Sequence, residues 1–285
     1  MNPYLEIIRP GNAIMAIIAV ILMGFVGHDF GIALILGMLA TFLALGGGNA
    51  INDVFDVKID SINKPTRPIP SGRIKLKTGK IYSLGLMAVA VIVGGIISLI
   101  VNHFGPVLIV IGACILEYFY ARDLKSTVLI GNISVGLLTG LCFLFGGVII
   151  GCKNGNIQII KISLILAFFA MLMTTAREIV KDIEDIEGDK KEGAKTFPIV
   201  YDKKVSAYLT ASLIIIDTIL CPLLYSYHIF SLSYLIIVAI AMILFFYSAY
   251  SILKDQRREN CTKISKFLKI GMIIAFIAFA LGSLI

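Results

Sequence analysis

The sequence predicts an all-α fold, a membrane bundle of nine transmembrane helices. Three observations carry this: the composition, the spacing of the apolar runs, and the lopsided placement of the basic residues. Of 285 residues, 58% are apolar or aromatic and only 15% are charged, where a soluble domain carries about 25% charged residues. These figures exclude a soluble domain, a disordered chain, a coiled coil and a disulfide scaffold. Five cysteines (Cys114, Cys142, Cys152, Cys221 and Cys261) are scattered without a CxxC pair, so they read as packing residues rather than as zinc ligands or bridges.

An apolar run of about 20 residues crosses the hydrocarbon layer, and nine such runs occur, at roughly 12–27, 31–50, 81–101, 104–120, 128–150, 157–178, 205–225, 231–252 and 267–285. Backbone polar groups cannot go unpaired in lipid, so the runs are helices. The first is too long, and too closely followed by the second, to be a cleaved signal peptide. The second carries Gly46-Gly47-Gly48, which no strand precedes; it permits close helix approach and is not a dinucleotide fingerprint. The fifth holds Asn132 near one end and the small-xxx-small pair Gly136 and Gly140. The seventh holds Asp217 in mid-span, where an acid costs about 2.5–3.5 kcal/mol on insertion scales; either function or a bond to a neighbouring helix accounts for it. His28, His103 and His228 fall in short loops away from the acids described below and read as solvated.

Loops after the second, sixth and eighth spans are long and charged. Placing the N-terminus and the loops after all the even-numbered spans, the fourth included, on one face collects 23 of the 25 basic residues there and leaves only Lys153 and Lys161 opposite. By the positive-inside rule the crowded face is cytoplasmic. The net charge of +7 is therefore a topology signal, not a nucleic-acid footprint. The chain is expected as a single multi-pass domain over residues 1–285 of the cell membrane, with the N-terminus and the charged loops cytoplasmic.

Two of those loops open on the same acidic pattern, D-x-x-D-x-x-x-D, at Asp53/Asp56/Asp60 and at Asp182/Asp185/Asp189. Offsets of 0, 3 and 7 bring three carboxylates to one helical face. Four spans separate the copies, which suggests two four-helix halves related by a repeat, plus one extra helix. Six converging aspartates repel one another unless cations sit between them. All-oxygen donors with no His or Cys nearby select Mg²⁺, which shares its remaining positions with water and substrate phosphate. Lys64 and Arg67 after the first run, and Lys190, Lys191 and Lys195 around the end of the second, suit a phosphate or, equally, anionic lipid headgroups. The active site is accordingly expected at the cytoplasmic end of the bundle.

These residues resemble the UbiA-type intramembrane prenyltransferases over essentially the whole chain. The family signatures N-x-x-x-D-x-x-x-D and D-x-x-x-D match Asn52/Asp56/Asp60 and Asp185/Asp189, and Lys64-Pro65-Thr66-Arg67-Pro68-Ile69-Pro70-Ser71-Gly72 is similar to the segment after the first signature. The family's Tyr-x-x-x-Lys element has its nearest match in Tyr120 and Lys125, one residue longer, with Arg122 between them. Within the family, Met1-Asn2-Pro3-Tyr4-Leu5-Glu6, Arg9-Pro10-Gly11-Asn12 and the stretch from Arg177 to Asp185 look like the archaeal branch that builds ether lipids. The resemblance implies Mg²⁺-dependent transfer of a geranylgeranyl group from geranylgeranyl diphosphate to the glycerol hydroxyl of geranylgeranylglyceryl phosphate. It implies catalytic roles for Asp56, Asp60, Asp185, Asp189 and Lys125. Metal ligands would come from Asp53, Asp56, Asp60, Asp182, Asp185 and Asp189. Substrate contacts would come from Asn12, Asn52, Lys64, Arg67, Tyr120, Arg122, Asn132, Lys181 and Lys195. Asn12 and Asn132 either line the cavity or bond a neighbouring helix.

The chemistry follows from charge. Mg²⁺, lysine and arginine neutralise the departing diphosphate, and lipid-embedded helices keep water from the allylic cation left behind. Phe143, Phe145, Phe168 and Phe169 are candidate rings for that cation, against a background of 17 Phe and 11 Tyr that mostly pack. Glu178 and Glu184 are candidate bases for the acceptor hydroxyl. Arg9, Arg67, Arg122 and Lys125 are the cations for an acceptor phosphate. Two other readings are weighed: an aromatic prenyltransferase of quinone synthesis, distinguished by its acceptor, and a cation-coupled transporter. A transporter places its acids near the membrane midplane, whereas all six aspartates here sit at span ends.

Overall fold

A computed structural model describes residues 2–191 and 193–284; the side chain of Asn12, an expected substrate contact, lies outside the described residues. Every regular element among them is helical. The order is α1 (Pro3–Ile7), α2 (Pro10–Gly27), α3 (Ile32–Phe55), α4 (Val57–Asn63), α5 (Leu76–Ile100), α6 (Gly105–Arg122) and α7 (Ile130–Lys153). Then follow α8 (Ile157–Lys191), α9 (Phe197–Tyr201), α10 (Lys203–Leu220), α11 (Leu223–Ser226), α12 (Leu232–Lys254) and α13 (Arg258–Gly282). Eight stretches are long and apolar enough to cross a membrane: α3, α5, α6, α7, α8, α10 with α11, α12 and α13. In α2 the apolar part, Ala13–Gly27, is shorter. The chain is an integral multi-pass membrane protein.

Local chemistry explains the element ends. Asn2 caps α1, its Oδ1 accepting from the Tyr4 amide at 2.9 Å, with Pro3 at the first helical position. Asp202 caps α10 by accepting from the Lys204 and Val205 amides at 2.6 and 3.0 Å. The helix stops at Cys221 because Pro222 has no N–H to continue the ladder.

Two expectations change. α8 does not end near residue 178 but runs on to Lys191 as one helix of 35 residues, about 52 Å long against a hydrocarbon layer of about 30 Å. α3 continues past residue 50 to Phe55, and α4 resumes at Val57. The two acidic runs thus lie on helices that continue the spans, as the one-face spacing of their carboxylates requires.

The chain forms two compact units, Met1–Leu124 with Leu141–Leu164, and Lys125–Gly140 with Ile165–Ile285. The division passes through α7 and α8 rather than after a fourth span, so the units differ from the expected pair of four-helix halves.

In the first unit α3 packs closely on α5. The Ser83 hydroxyl donates to the Gly47 carbonyl at 2.8 Å, and a Cβ at Gly47 would lie 3.0 Å from the Ser83 carbonyl oxygen. Only glycine permits that approach. In the second unit the core gathers Met173, Ile179, Val180, Ile214, Phe245, Ile264 and Leu268 around α8, α10, α12 and α13. A Cβ at Gly140 would sit 2.7 Å from the Ala167 carbonyl oxygen, so the small residues of α7 let α8 approach as the spacing suggested.

Candidate functional site

The first acidic run occupies the end of α3 and the start of α4. Asp56 sits at the junction, where its amide donates to the Asn52 carbonyl at 2.9 Å and its carbonyl accepts from the Asp60 amide at 2.8 Å. The i to i−4 ladder therefore survives the change of helix and keeps Asp53 and Asp60, seven residues apart, on one face. Both are buried, at 1% and 3% exposure. One guanidinium nitrogen of Arg67 reaches both, at 3.2 Å to Asp53 and 2.5 Å to Asp60. Arg9 also pairs with Asp53. Buried carboxylates require such partners, and Asp53, expected among metal ligands, is occupied by two arginines. Asp56 accepts instead from the Asn52 side-chain amide at 3.0 Å, while the Asn52 Oδ1 is buried with no hydrogen-bond partner.

A second ion pair fixes the segment after this run. Arg73 binds both carboxylate oxygens of Glu6 at 2.7 and 2.8 Å and the Thr66 carbonyl at 2.5 Å. The Arg73 hydrogen bond holds the Glu6 carboxyl below its ordinary range. This clamp ties α1 to the chain between α4 and α5. Lys64, at the end of α4, is exposed.

The second acidic run lies wholly within α8. The Asn132 side-chain amide donates to Asp182 at 2.8 Å, a bond between α7 and α8 made by a buried residue. Asp185 is exposed, with Arg258 at 3.8 Å, and Asp189 is half-buried. Lys181 reaches Glu178 at 2.7 Å rather than an aspartate of the run. Lys195 is exposed, and its amide donates to the Ser126 carbonyl at 2.9 Å. Lys125 sits half-buried in a short turn at Leu124–Ser126.

At the end of α6, Tyr120 is half-buried, and Arg122 pairs with Asp123 at 2.6 Å while its guanidinium lies 4.9 Å from the Phe119 ring centre. Phe143, Phe145 and Phe169 are buried, whereas Phe168 is exposed. Glu178 is engaged by Lys181 and Arg177, and Glu184 accepts from the Thr262 hydroxyl at 2.6 Å. The candidate bases are thus both occupied. Asp217 is buried with Oδ1 unpartnered, so no bond from that oxygen to a neighbouring helix explains it. All five cysteines are free.

Two residues escaped sequence reasoning. Arg9 is more than a spare cation, since it shares Asp53 with Arg67 across 44 residues. Glu117, the single acid of α6, is buried with Oε2 unpartnered. An acidic letter inside an apolar run was the available signal for it.

The donors fit a hard cation. Carboxylates and the orphaned amide oxygen of Asn52 are all oxygen, which suits Mg²⁺. Among the described residues no group of three acids, histidines or cysteines forms a complete cage. Mg²⁺ does not need one, because it keeps waters and takes substrate phosphates as ligands.

Helices long and apolar enough to cross a membrane, two of them ending in acid runs that arginine and amide donors partner, define a class: integral membrane proteins with a charged, oxygen-rich site at helix ends. The chain belongs to the UbiA prenyltransferase family, whose model matches residues 13–280, and it is a prenyltransferase. A relative from Methanobrevibacter smithii named digeranylgeranylglyceryl phosphate synthase is 58% identical over 283 residues, covering 99% of this chain and 98% of its own. A solved structure of digeranylgeranylglyceryl phosphate synthase superposes with a TM-score of 0.83 at 40% identity, over 99% of this chain and 98% of that one. A UbiA homolog from Archaeoglobus fulgidus bound to GPP and Mg²⁺ shares the fold, with a TM-score of 0.64 at 19% identity over 97% of this chain and 99% of that one.

Proposed function

We propose that the protein transfers a geranylgeranyl group from geranylgeranyl diphosphate to the free glycerol hydroxyl of geranylgeranylglyceryl phosphate, in a Mg²⁺-dependent step of ether-lipid synthesis. The observation that carries this reading is end-to-end likeness to a relative named for that product, at 58% identity over 99% of this chain. The chain acts as one domain of the cell membrane, with α2 as the first of nine spans. Its acid runs face the cytoplasm, which the 23-to-2 division of basic residues supports.

When bound, Mg²⁺ supplies neutralisation for charge developing on the departing diphosphate. Asp56, Asp60, Asp182, Asp185 and Asp189, with the Asn52 oxygen, would hold it, Asp182 being oriented by the Asn132 amide. Asp53 anchors Arg9 and Arg67, whose remaining N–H donors turn to phosphate oxygens. Arginine's fork suits phosphate better than a lysine point charge. Lys64, Lys125, Lys181 and Lys195 add positive potential for the two anionic substrates, and Tyr120, Arg122, Asn12 and Asn132 contact them. The surrounding apolar helices keep water from the allylic carbon.

Purified protein with Mg²⁺ and geranylgeranyl diphosphate, offered geranylgeranylglyceryl phosphate, geranylgeranylglycerol and a hydroxybenzoate-type ring, tests this directly. The expected main product, read by mass, is the doubly prenylated glyceryl phosphate. Efficient prenylation of the ring, with the glyceryl phosphate ignored, overturns the reading in favour of the aromatic branch.

A further inference from the structure

We propose that Glu117 is the general base that accepts the proton of the acceptor hydroxyl, an assignment that rests on the acceptor reading above. Glu117 is 7% exposed, and its Oε2 has no hydrogen-bond partner. Among the described residues no lysine, arginine or histidine forms an ion pair with it; its titratable neighbours are the thiols Cys114 and Cys142. A carboxyl left without a partner in an apolar interior is costly. Such a group persists where it serves a ligand.

The position of this carboxyl is built by a glycine. It rests on Gly48 of α3, where a Cβ would lie 2.5 Å from Oε2. Gly46 and Gly47 of the same run instead meet Ile8 and Met87, so Gly48 alone makes the notch for the acid. One turn along α3 from Gly48 lies Asn52, whose Oδ1 is likewise buried and unpartnered. One turn further lies Asp56. The three positions are spaced i, i+4 and i+8 and share a face. With a rise of about 1.5 Å per residue, Asn52 and Asp56 stand about 6 and 12 Å along the axis from Gly48. A diphosphate held at that end of α3, by a cation that the Asp56 carboxylate and the Asn52 oxygen would bind, would have its prenyl carbon toward the apolar end of the interval, where Glu117 stands. Glu178 and Glu184 have partners already; Glu117 does not.

The step balances. The glycerol oxygen forms a bond to C1 of the prenyl group, the C1–oxygen bond to diphosphate breaks, and diphosphate leaves with the bonding pair. The hydroxyl proton passes to the Glu117 carboxylate, which returns it to water after the product leaves.

The test compares Glu117→Gln with wild type on two acceptors, geranylgeranylglyceryl phosphate and its analogue with a thiol in place of the free hydroxyl. A thiol supplies its own thiolate near pH 8.5 and needs no base. For the hydroxyl acceptor kcat is expected to fall about 100-fold or more, the usual contribution of a general base. The thiol acceptor is expected to lose less than tenfold, and binding of labelled geranylgeranyl diphosphate with Mg²⁺ is expected to be unchanged. If Glu117→Gln does not fold, Gly48→Ala displaces the carboxyl and should show the same contrast between acceptors, with a smaller loss. Equal losses on both acceptors, or a hydroxyl-acceptor rate near wild type, overturn the assignment. A wild-type protein that leaves the glycerol hydroxyl unalkylated overturns the acceptor reading itself, and this assignment with it.

Discussion

Replacing Asp56 with alanine is expected to lower turnover at least about a hundredfold, a loss of about 3 kcal/mol of transition-state stabilisation. The protein should still fold. Asp56 is only half-buried, and the bonds that hold the junction of α3 and α4 are its own backbone bonds to Asn52 and Asp60, which alanine keeps. Removing the carboxylate does take away one oxygen donor and release the Asn52 side-chain amide that binds it at 3.0 Å. Asp185→Ala should behave alike, since Asp185 is exposed and its contact to Arg258 is long, at 3.8 Å. Thermal unfolding in detergent should therefore change little, while the Mg²⁺ concentration for half-maximal rate rises. Activity above about a tenth of wild type in either variant removes these acids from the metal site.

The second large effect is expected at Arg67. One nitrogen of its guanidinium bridges Asp53 and Asp60, and a guanidinium has five N–H donors, so the same side chain can hold the acids and present donors to phosphate. Arg67→Ala leaves the buried Asp60 without that cation. Breaking a buried pair on one side costs about 3–5 kcal/mol, moderated here because Arg9 still faces Asp53. KM for geranylgeranylglyceryl phosphate is expected to rise about tenfold or more, against a smaller rise for geranylgeranyl diphosphate, since a charge-assisted phosphate bond is worth about 1.5–3 kcal/mol. Geranylgeranylglycerol, which lacks the phosphate, should lose less. Arg67→Lys should recover stability ahead of affinity, because a point charge replaces the cation but not the fork. Equal losses for both acceptors would place Arg67 in the scaffold alone.

The apolar helices were legible because each is a long apolar run closed by charge or a short polar loop, as at Lys254 at the end of α12. The continuation of α8 was legible only in the one-face spacing of its aspartates, and its full length to Lys191 was not. Counting apolar residues stops at the first charged cluster, yet a helix that leaves the membrane gains water as solvent for its acids and need not end there. The spacing of the acidic runs was legible, and so was their oxygen-only chemistry. Their partners were not. Arg9 meets Asp53 from 44 positions away, and Asn132 meets Asp182 from 50; such pairs follow from helix packing, which no local pattern encodes. The same holds for Glu117, whose meaning depends on a glycine on another helix. The lysines expected beside the second run behave differently, since Lys181 is drawn to Glu178 one turn away.

Following the oxygen of the new bond is the most direct measurement. Geranylgeranylglyceryl phosphate carrying oxygen-18 at its free hydroxyl is incubated with unlabelled geranylgeranyl diphosphate and purified protein, with Mg²⁺ or with EDTA, and the lipid and diphosphate products are weighed. With Mg²⁺ the label is expected wholly in the ether product and absent from diphosphate, and with EDTA no product is expected. An ether product without the label, or a labelled product formed as fast in EDTA, would contradict metal-assisted attack by the glycerol hydroxyl.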